Sequence, residues 1–106
     1  MTVQYIVKHF RNRMKALLGE NLVAVYWFGS SSRGQPVQGS DIDLLVETSA
    51  HLTDKQRDQA CDIAIDLCAE FGLLLDVHYY TTEEITELPY SHSPFVESAT
   101  KEGIRA

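Results

Sequence analysis

The sequence predicts a small α/β fold in which helices flank a sheet of three or more strands. Two long segments repeat apolar residues with helical spacing, and three shorter runs are rich in aliphatic and aromatic residues, as strands are. The length of 106 residues suits one domain. Neither a repeat nor a linker divides the chain, so we expect a single domain over residues 1–106.

The first half of the chain predicts a helix, a strand, a loop and a second strand. Residues 2–18 place their apolar side chains on one stripe, and Gly19 is a typical helix end. Leu22–Phe28 is a continuous apolar run, which indicates a buried strand. Residues 29–40, GSSSRGQPVQGS, have the composition of a loop. Asp41–Thr48 follows as the second strand.

The second half predicts a helix, a strand and two further helices. A capping box at Thr53 begins a helix that ends at Gly72. Residues 73–80 form the third predicted strand. A second capping box at Thr81 begins a short helix, and residues 94–103 predict a last helix that opens with proline.

Charge and composition exclude several classes of function. The chain has 9 basic and 15 acidic residues, a net charge of −6, which argues against an extended nucleic-acid ligand. The charge is compatible with a basic protein partner, or with a nucleotide that enters with metal ions. No apolar run approaches the roughly 20 residues of a membrane span, so we expect a cytoplasmic protein. Cys61 and Cys68 are expected to be buried small hydrophobes, not a disulfide.

Two carboxylates open the second strand. Asp41 and Asp43 are expected to project to the same side, because side chains alternate along a strand. Two carboxylates this close repel each other, and a divalent cation such as Mg²⁺ removes that penalty. Asp41 alone is also compatible with a turn or cap after Ser40. Asp43 lies among aliphatic residues, where aspartate is disfavoured, so its functional interpretation is the stronger one.

A third carboxylate, Asp76, lies within the third apolar strand. If the second and third strands are neighbours, Asp76 can share a face with Asp41 and Asp43. Three carboxylates so placed can hold two metal ions roughly 3.5–4 Å apart, as in phosphoryl transfer. The alternative is that Asp76 caps or salt-bridges an edge strand. His78 is two residues further on the same face, where it either contacts the site or packs as an ordinary strand histidine.

The loop before the second strand offers groups for a phosphate. Gly29 allows close approach of the backbone, and Ser30 adds a hydroxyl beside free N–H groups that favour anions. Taken alone, this pair is also compatible with an ordinary turn. Arg33 is placed either to clamp a phosphate with two N–H groups or to lie in solvent as a loop charge.

Together these residues resemble the polymerase-β nucleotidyltransferase superfamily. Gly29-Ser30 is followed after ten residues by Asp41-x-Asp43, and Asp76 comes on a later strand. The short chain is similar to the minimal nucleotidyltransferases, the MNT proteins often encoded beside HEPN-domain partners, with GSSSRGQPVQGSDIDLLV as the matching stretch. The resemblance implies a single-domain, polymerase-β palm-like nucleotidyltransferase fold with a small mixed sheet.

The resemblance also implies a role for each site residue. Asp41 and Asp43 would bind Mg²⁺ and the nucleotide phosphates, and Asp76 would be the third carboxylate of a two-metal site. Gly29-Ser30 would hold the triphosphate of ATP or another NTP, with Arg33 in support. An acceptor hydroxyl would then attack the α-phosphorus, and pyrophosphate would leave.

The acceptor that the resemblance implies is a protein. The MNT proteins are antitoxins that transfer AMP to a tyrosine of a HEPN ribonuclease toxin, which predicts a HEPN toxin as the partner in a hetero-oligomer. Two alternatives stay open. One is a non-catalytic antitoxin that binds and occludes its partner, and the other is a small-molecule, antibiotic-type nucleotidyltransferase, whose relatives usually carry an added helical domain. Residues 90–94 are a further place where a base or partner could bind.

Overall fold

The computed structural model describes residues 3–28, 41–86 and 104–105. Their helices are α1 (Val3–Leu18), a 3-10 turn (Gly19–Asn21), α2 (Asp54–Phe71) and α3 (Thr82–Thr86); the strands are β1 (Leu22–Phe28), β2 (Asp41–Thr48), β3 (Leu74–Thr81) and β4 (Ile104–Arg105). Over these ranges none of the helices is long and apolar enough to cross a membrane. The predicted loop at 29–40 and the predicted helix at 94–103 lie outside the described residues.

The described strands form one mixed sheet in the order β3-β2-β1-β4. β1 pairs antiparallel with both β2 and β4, whereas β2 and β3 run parallel. A parallel pair needs a crossover connection, and α2 provides it. The small mixed sheet with helices was therefore predicted correctly. β4 was not predicted, because two residues are too short to show a period.

α1 and α2 cover one face of this sheet. Phe10 and Met14 of α1 are fully buried, as are Leu67 of α2 and Leu44 and Val46 of β2. These side chains belong to one core cluster. The apolar stripe that the sequence predicts on α1 is thus the surface that packs on the sheet. The residues of β2 that alternate with Leu44 and Val46 lie on the opposite face of the sheet.

The ends of α2 follow the predicted capping. Thr53 Oγ1 accepts from the Gln56 N–H at 3.1 Å, and Gln56 Oε1 accepts from the Thr53 N–H at 3.0 Å. Gly72 ends the helix at a φ of +66°, in the left-handed region that glycine adopts without a steric penalty. The second predicted box also forms, since Thr81 and Glu84 exchange bonds of 3.0 and 3.1 Å at the start of α3.

The expected burial of the cysteines is wrong for Cys61. Both thiols are free, as predicted, but Cys61 is exposed and Cys68 is half-buried. The core face of α2 contains Ala60 and Ile63. Position 61 is rotated about 100° from position 60 on a helix of 3.6 residues per turn, which places it beside the buried stripe and not within it.

Tyr79 gives the fold a measurable dependence on alkaline pH. It packs against the core beneath the helices, where burial, with a smaller effect of Cys61, raises its pKa to about 12; Arg57 acts in the opposite direction. Unfolded tyrosine titrates near pH 10. Between these two values the unfolded chain loses the proton and the folded chain keeps it, so the free energy of unfolding should fall as pH rises.

In the Tyr79→Phe variant, the fall in the free energy of unfolding that comes from Tyr79 is expected to disappear. Urea unfolding at about pH 8 and about pH 11, on either side of the unfolded pKa, measures it for the wild type and the variant. Tyr5→Phe, at a tyrosine that is 53% exposed, is the matched control and should decline like the wild type. An equal decline in wild type and Tyr79→Phe would contradict the assignment.

Candidate functional site

The pairing of β2 with β3 brings two of the predicted carboxylates together. The register places Asp43 opposite Asp76, and Asp41 opposite Leu74. Register partners on adjacent strands share one face of the sheet, with strands about 4.8 Å apart. The second and third strands are therefore neighbours, and Asp43 and Asp76 lie side by side.

These two carboxylates are on the face that points away from α1 and α2. Ile42 and Leu44 fill the core beneath the helices, so Asp43, between them in β2, projects the other way. Asp43 is half-buried, and the Asp76 side chain is 54% exposed. Asp41 is two positions before Asp43, and its backbone alone is described. Adjacent negative charges repel each other, which is the physical reason to expect a cation at this edge.

His78 contacts Asp76 directly. Its Nε2 is 3.3 Å from Asp76 Oδ2, and its side chain is 36% exposed. His78 therefore contacts one of the carboxylates that the sequence predicts for the site. β3 is at one edge of the described sheet, so the alternative interpretation of Asp76, an ion pair on an edge strand, also has a partner in His78. An exposed pair contributes at most about 1 kcal/mol, a weak reason to keep an aspartate in an apolar strand.

Further along the same face the sheet becomes apolar. Leu45 is fully buried and packs with Tyr26, Tyr80 and Ile85. This cluster begins two residues after Asp43 on β2. Asp43 and Asp76 therefore lie at one end of the face, near the start of β2, and the Leu45 cluster packs the part that follows. Leu74, on the same face at the start of β3, is 61% exposed.

Glu47 is a buried carboxylate that the sequence analysis missed. It shares the face of Asp43 and is only 7% exposed. The Tyr26 hydroxyl donates to its Oε1 at 3.3 Å, and the Thr82 hydroxyl donates to its Oε2 at 2.6 Å. These bonds hold the start of α3 against β2. The sequence could have shown that Glu47 shares the face of Asp43, because residues separated by an even number of positions on a strand point to the same side.

The remaining predicted site residues lie outside the described part of the chain. Gly29, Ser30 and Arg33, which were expected to hold the triphosphate, belong to this group, as do residues 90–94.

The chemistry of the described carboxylates fits a magnesium ion. Over the side chains that the structure describes, no group of three or more His, Cys, Asp or Glu is placed to hold a metal. Asp43 and Asp76 are nevertheless together, and Mg²⁺ is commonly held by one or two carboxylates with the substrate's phosphates supplying further oxygens. The donor set therefore suits Mg²⁺ bound together with a nucleotide.

The likeness to nucleotidyltransferases extends over nearly the whole chain. The family model of the nucleotidyltransferase domain matches residues 7–105. The chain belongs to this family. The match includes β1, β2, β3 and every predicted site position, and it confirms the predicted nucleotidyltransferase fold. A comparison with curated proteins finds no match to this nucleotidyltransferase.

Solved structures share the fold. A mutant of the MntA–HpeT toxin–antitoxin pair has a chain that is 18% identical, with 92% of this nucleotidyltransferase and 70% of that chain aligned at a TM-score of 0.61. A toxin–antitoxin structure with AMP-PNP is 24% identical, over 68% of this chain and 56% of that one, at a TM-score of 0.51. Spectinomycin adenyltransferase AAD(9) from Enterococcus faecialis, with ATP and spectinomycin, is 25% identical. The alignment covers 85% of this chain but only 38% of AAD(9), at a TM-score of 0.57.

Proposed function

We propose that this nucleotidyltransferase transfers AMP from ATP to a hydroxyl group of a partner protein in the cytoplasm. The observation that carries the proposal is the register of Asp43 opposite Asp76 on parallel strands, in a chain that matches the nucleotidyltransferase family over residues 7–105. Two aligned carboxylates at one accessible end of the sheet face would provide a place for a nucleotide's phosphates to meet metal ions. Residues 1–106 would form one minimal catalytic domain.

The proposed chemistry assigns a task to each carboxylate and to the loop. Asp41, Asp43 and Asp76 would hold Mg²⁺, which when bound supplies positive charge to the phosphate oxygens and the departing pyrophosphate. Asp76 would also accept the proton of the acceptor hydroxyl. The acceptor oxygen forms a bond to the α-phosphorus as the bond to the β-phosphate oxygen breaks. Gly29-Ser30 would bind the triphosphate, and Arg33 would stabilise charge that develops on it.

A protein acceptor is favoured by charge and by the fold of the neighbours. The net charge of −6 disfavours a nucleic-acid acceptor. The MntA–HpeT structure, with a TM-score of 0.61, is a toxin–antitoxin pair, and the sequence resembles the MNT antitoxins. We therefore propose a HEPN ribonuclease toxin as the partner, a tyrosine as the acceptor and neutralisation of the toxin as the outcome.

A small-molecule acceptor is the second candidate. The likeness to spectinomycin adenyltransferase AAD(9) favours it, since that structure contains ATP and spectinomycin. This chain aligns with 38% of that enzyme's length. Consumption of free spectinomycin by the isolated chain would establish this second function.

The test is intact-mass spectrometry of a HEPN-domain partner purified together with the chain. The complex is incubated with ATP and Mg²⁺, and the Asp41→Asn/Asp43→Asn double variant is treated in parallel. We expect the partner to gain one or more AMP units with the wild type only. A partner that binds and never gains mass, with each NTP in turn, would overturn transfer and support the occluding antitoxin.

A further inference from the structure

An open apolar depression lies where α2 ends and β3 begins. It encloses about 460 Å³ and is lined by Ile65, Cys68, Ala69, Gly72, Leu73 and Leu74. Ile65 is 58% exposed and Leu74 is 61% exposed. Single exposed aliphatic side chains are common, so the depression alone does not mark an interaction site, and the charge beside it decides what it can bind.

A row of carboxylates runs along α2 beside this depression. Five exposed acidic residues follow one another at intervals of four: Asp54, Asp58, Asp62, Asp66 and Glu70. Like charges at this spacing destabilise a helix by about 0.2–0.5 kcal/mol per pair, and the acids near its C-terminus also oppose the helix dipole. Arg13 Nη2 is 3.4 Å from Asp66 Oδ2, and Lys55 and Arg57 are the basic residues of α2 itself, so over the described helix five acids face two bases. The row therefore favours a basic ligand.

The row and the depression share one side of the helix. Asp62 precedes Ile65 by three residues and Asp58 precedes it by seven, and both spacings put side chains on the same helix face. A basic segment lying along α2 could thus pair with Asp58 and Asp62 while one aliphatic side chain enters the depression. We term this region, formed by the six lining residues with Asp58 and Asp62, the α2–β3 surface.

The α2–β3 surface meets the edge of the sheet that carries the carboxylates. Leu74, at its border, is the register partner of Asp41 and is two residues before Asp76. Residues two apart on a strand share a face and lie about 6.6 Å apart. A ligand that contacts Leu74 is therefore next to the proposed site of transfer.

We propose that the α2–β3 surface docks the acceptor protein through a basic segment with an aliphatic anchor. The proposal rests on the proposed function in one respect, that the docked protein is the acceptor. A second copy of this chain is the poorer occupant, because it would bring the same net charge of −6 and its own acidic helix. The basic charge of the partner's segment attracts it to the acidic helix α2. The aliphatic anchor then fixes the position of the partner next to Asp76.

The binding test uses a synthetic amphipathic helical peptide of lysine and leucine and does not depend on transfer. Fluorescence anisotropy measures its affinity for the wild type, for Ile65→Thr/Leu74→Thr and for Asp58→Asn/Asp62→Asn. Each double variant is expected to bind about tenfold more weakly. The matched controls are Val23→Thr and Glu20→Gln, at exposed positions elsewhere, and both should bind the peptide like the wild type. Asp43→Asn, which changes the proposed site of transfer, should also bind the peptide like the wild type.

Three results would overturn the proposed docking. The first is that the wild type binds a glutamate–leucine peptide with the same affinity as the lysine–leucine peptide. The second is that Ile65→Thr/Leu74→Thr binds the lysine–leucine peptide as tightly as the wild type. The third is that the wild type self-associates and that the same variant does not. In the transfer assay, Ile65→Thr/Leu74→Thr should raise KM for the acceptor protein and leave kcat unchanged. Because Asp43→Asn should strongly slow transfer and keep peptide binding, failure of docking and failure of the proposed activity give different results.

Discussion

Asp43→Asn is expected to lower the rate of nucleotidyl transfer by about 10²–10³-fold, the size of effect seen when one group that stabilises transition-state charge is removed. Asparagine keeps the shape of aspartate and a carbonyl oxygen but loses the negative charge that would hold Mg²⁺. Asp43 is the register partner of Asp76 and is half-buried. Its charge is therefore screened less by water than the charge of exposed Asp76.

The rate is measured as AMP incorporated into the partner per unit time, with ATP and Mg²⁺ in excess. Glu20→Gln removes one exposed carboxylate outside the site and should leave the rate unchanged. Thermal unfolding with and without ATP and Mg²⁺ gives an independent readout, because a ligand that binds the folded state raises the melting temperature. Asp43→Asn should fold normally and lose most of this rise. A variant that keeps wild-type transfer would remove Asp43 from the site.

The faces of the strands could be predicted from the sequence, but the register could not. Alternation along β2 predicts that Asp43 and Leu44 point in opposite directions, and the core confirms this for Leu44. The alignment of Asp43 with Asp76 depends on how α2 crosses from β2 to β3. That path is fixed by the packing of Ala60, Ile63 and Leu67. A shift of one residue would have placed Asp76 on the core side.

Glu47 shows where local pattern fails. Its neighbours Val46 and Thr48 are buried in β2, and a glutamate at the end of a strand is ordinarily exposed. Its burial comes from Thr82, 35 positions later in the chain, whose hydroxyl bonds to it. Strand parity gives the face on which Glu47 lies, but a contact of this range leaves no local signal for its burial. The capping boxes at Thr53 and Thr81 were predictable for the opposite reason, since their partners are three residues away.

Leu44→Ala is expected to destabilise the fold by about 2–5 kcal/mol, the range for a buried leucine replaced by alanine. Leu44 is fully buried in the core, with register partners Trp27 on β1 and Val77 on β3. Loss of its side chain leaves a cavity between the sheet and the helices that neighbouring side chains fill only in part. For a domain of this size the melting temperature should fall by at least about 10 °C.

Leu74→Ala makes the same chemical change on a neighbouring strand at a side chain that is 61% exposed. An exposed position has no cavity to leave, so the unfolding free energy should change by no more than about 0.5 kcal/mol. Urea denaturation of both variants gives the comparison directly. Because Leu44 and Asp43 are consecutive on β2 and face opposite ways, Leu44→Ala should also reduce transfer only as far as the folded fraction falls. Equal destabilisation by the two substitutions would mean that the helices do not pack on the face that carries Leu44. The assignment of Asp43 to the face that points away from α1 and α2 would then be wrong as well.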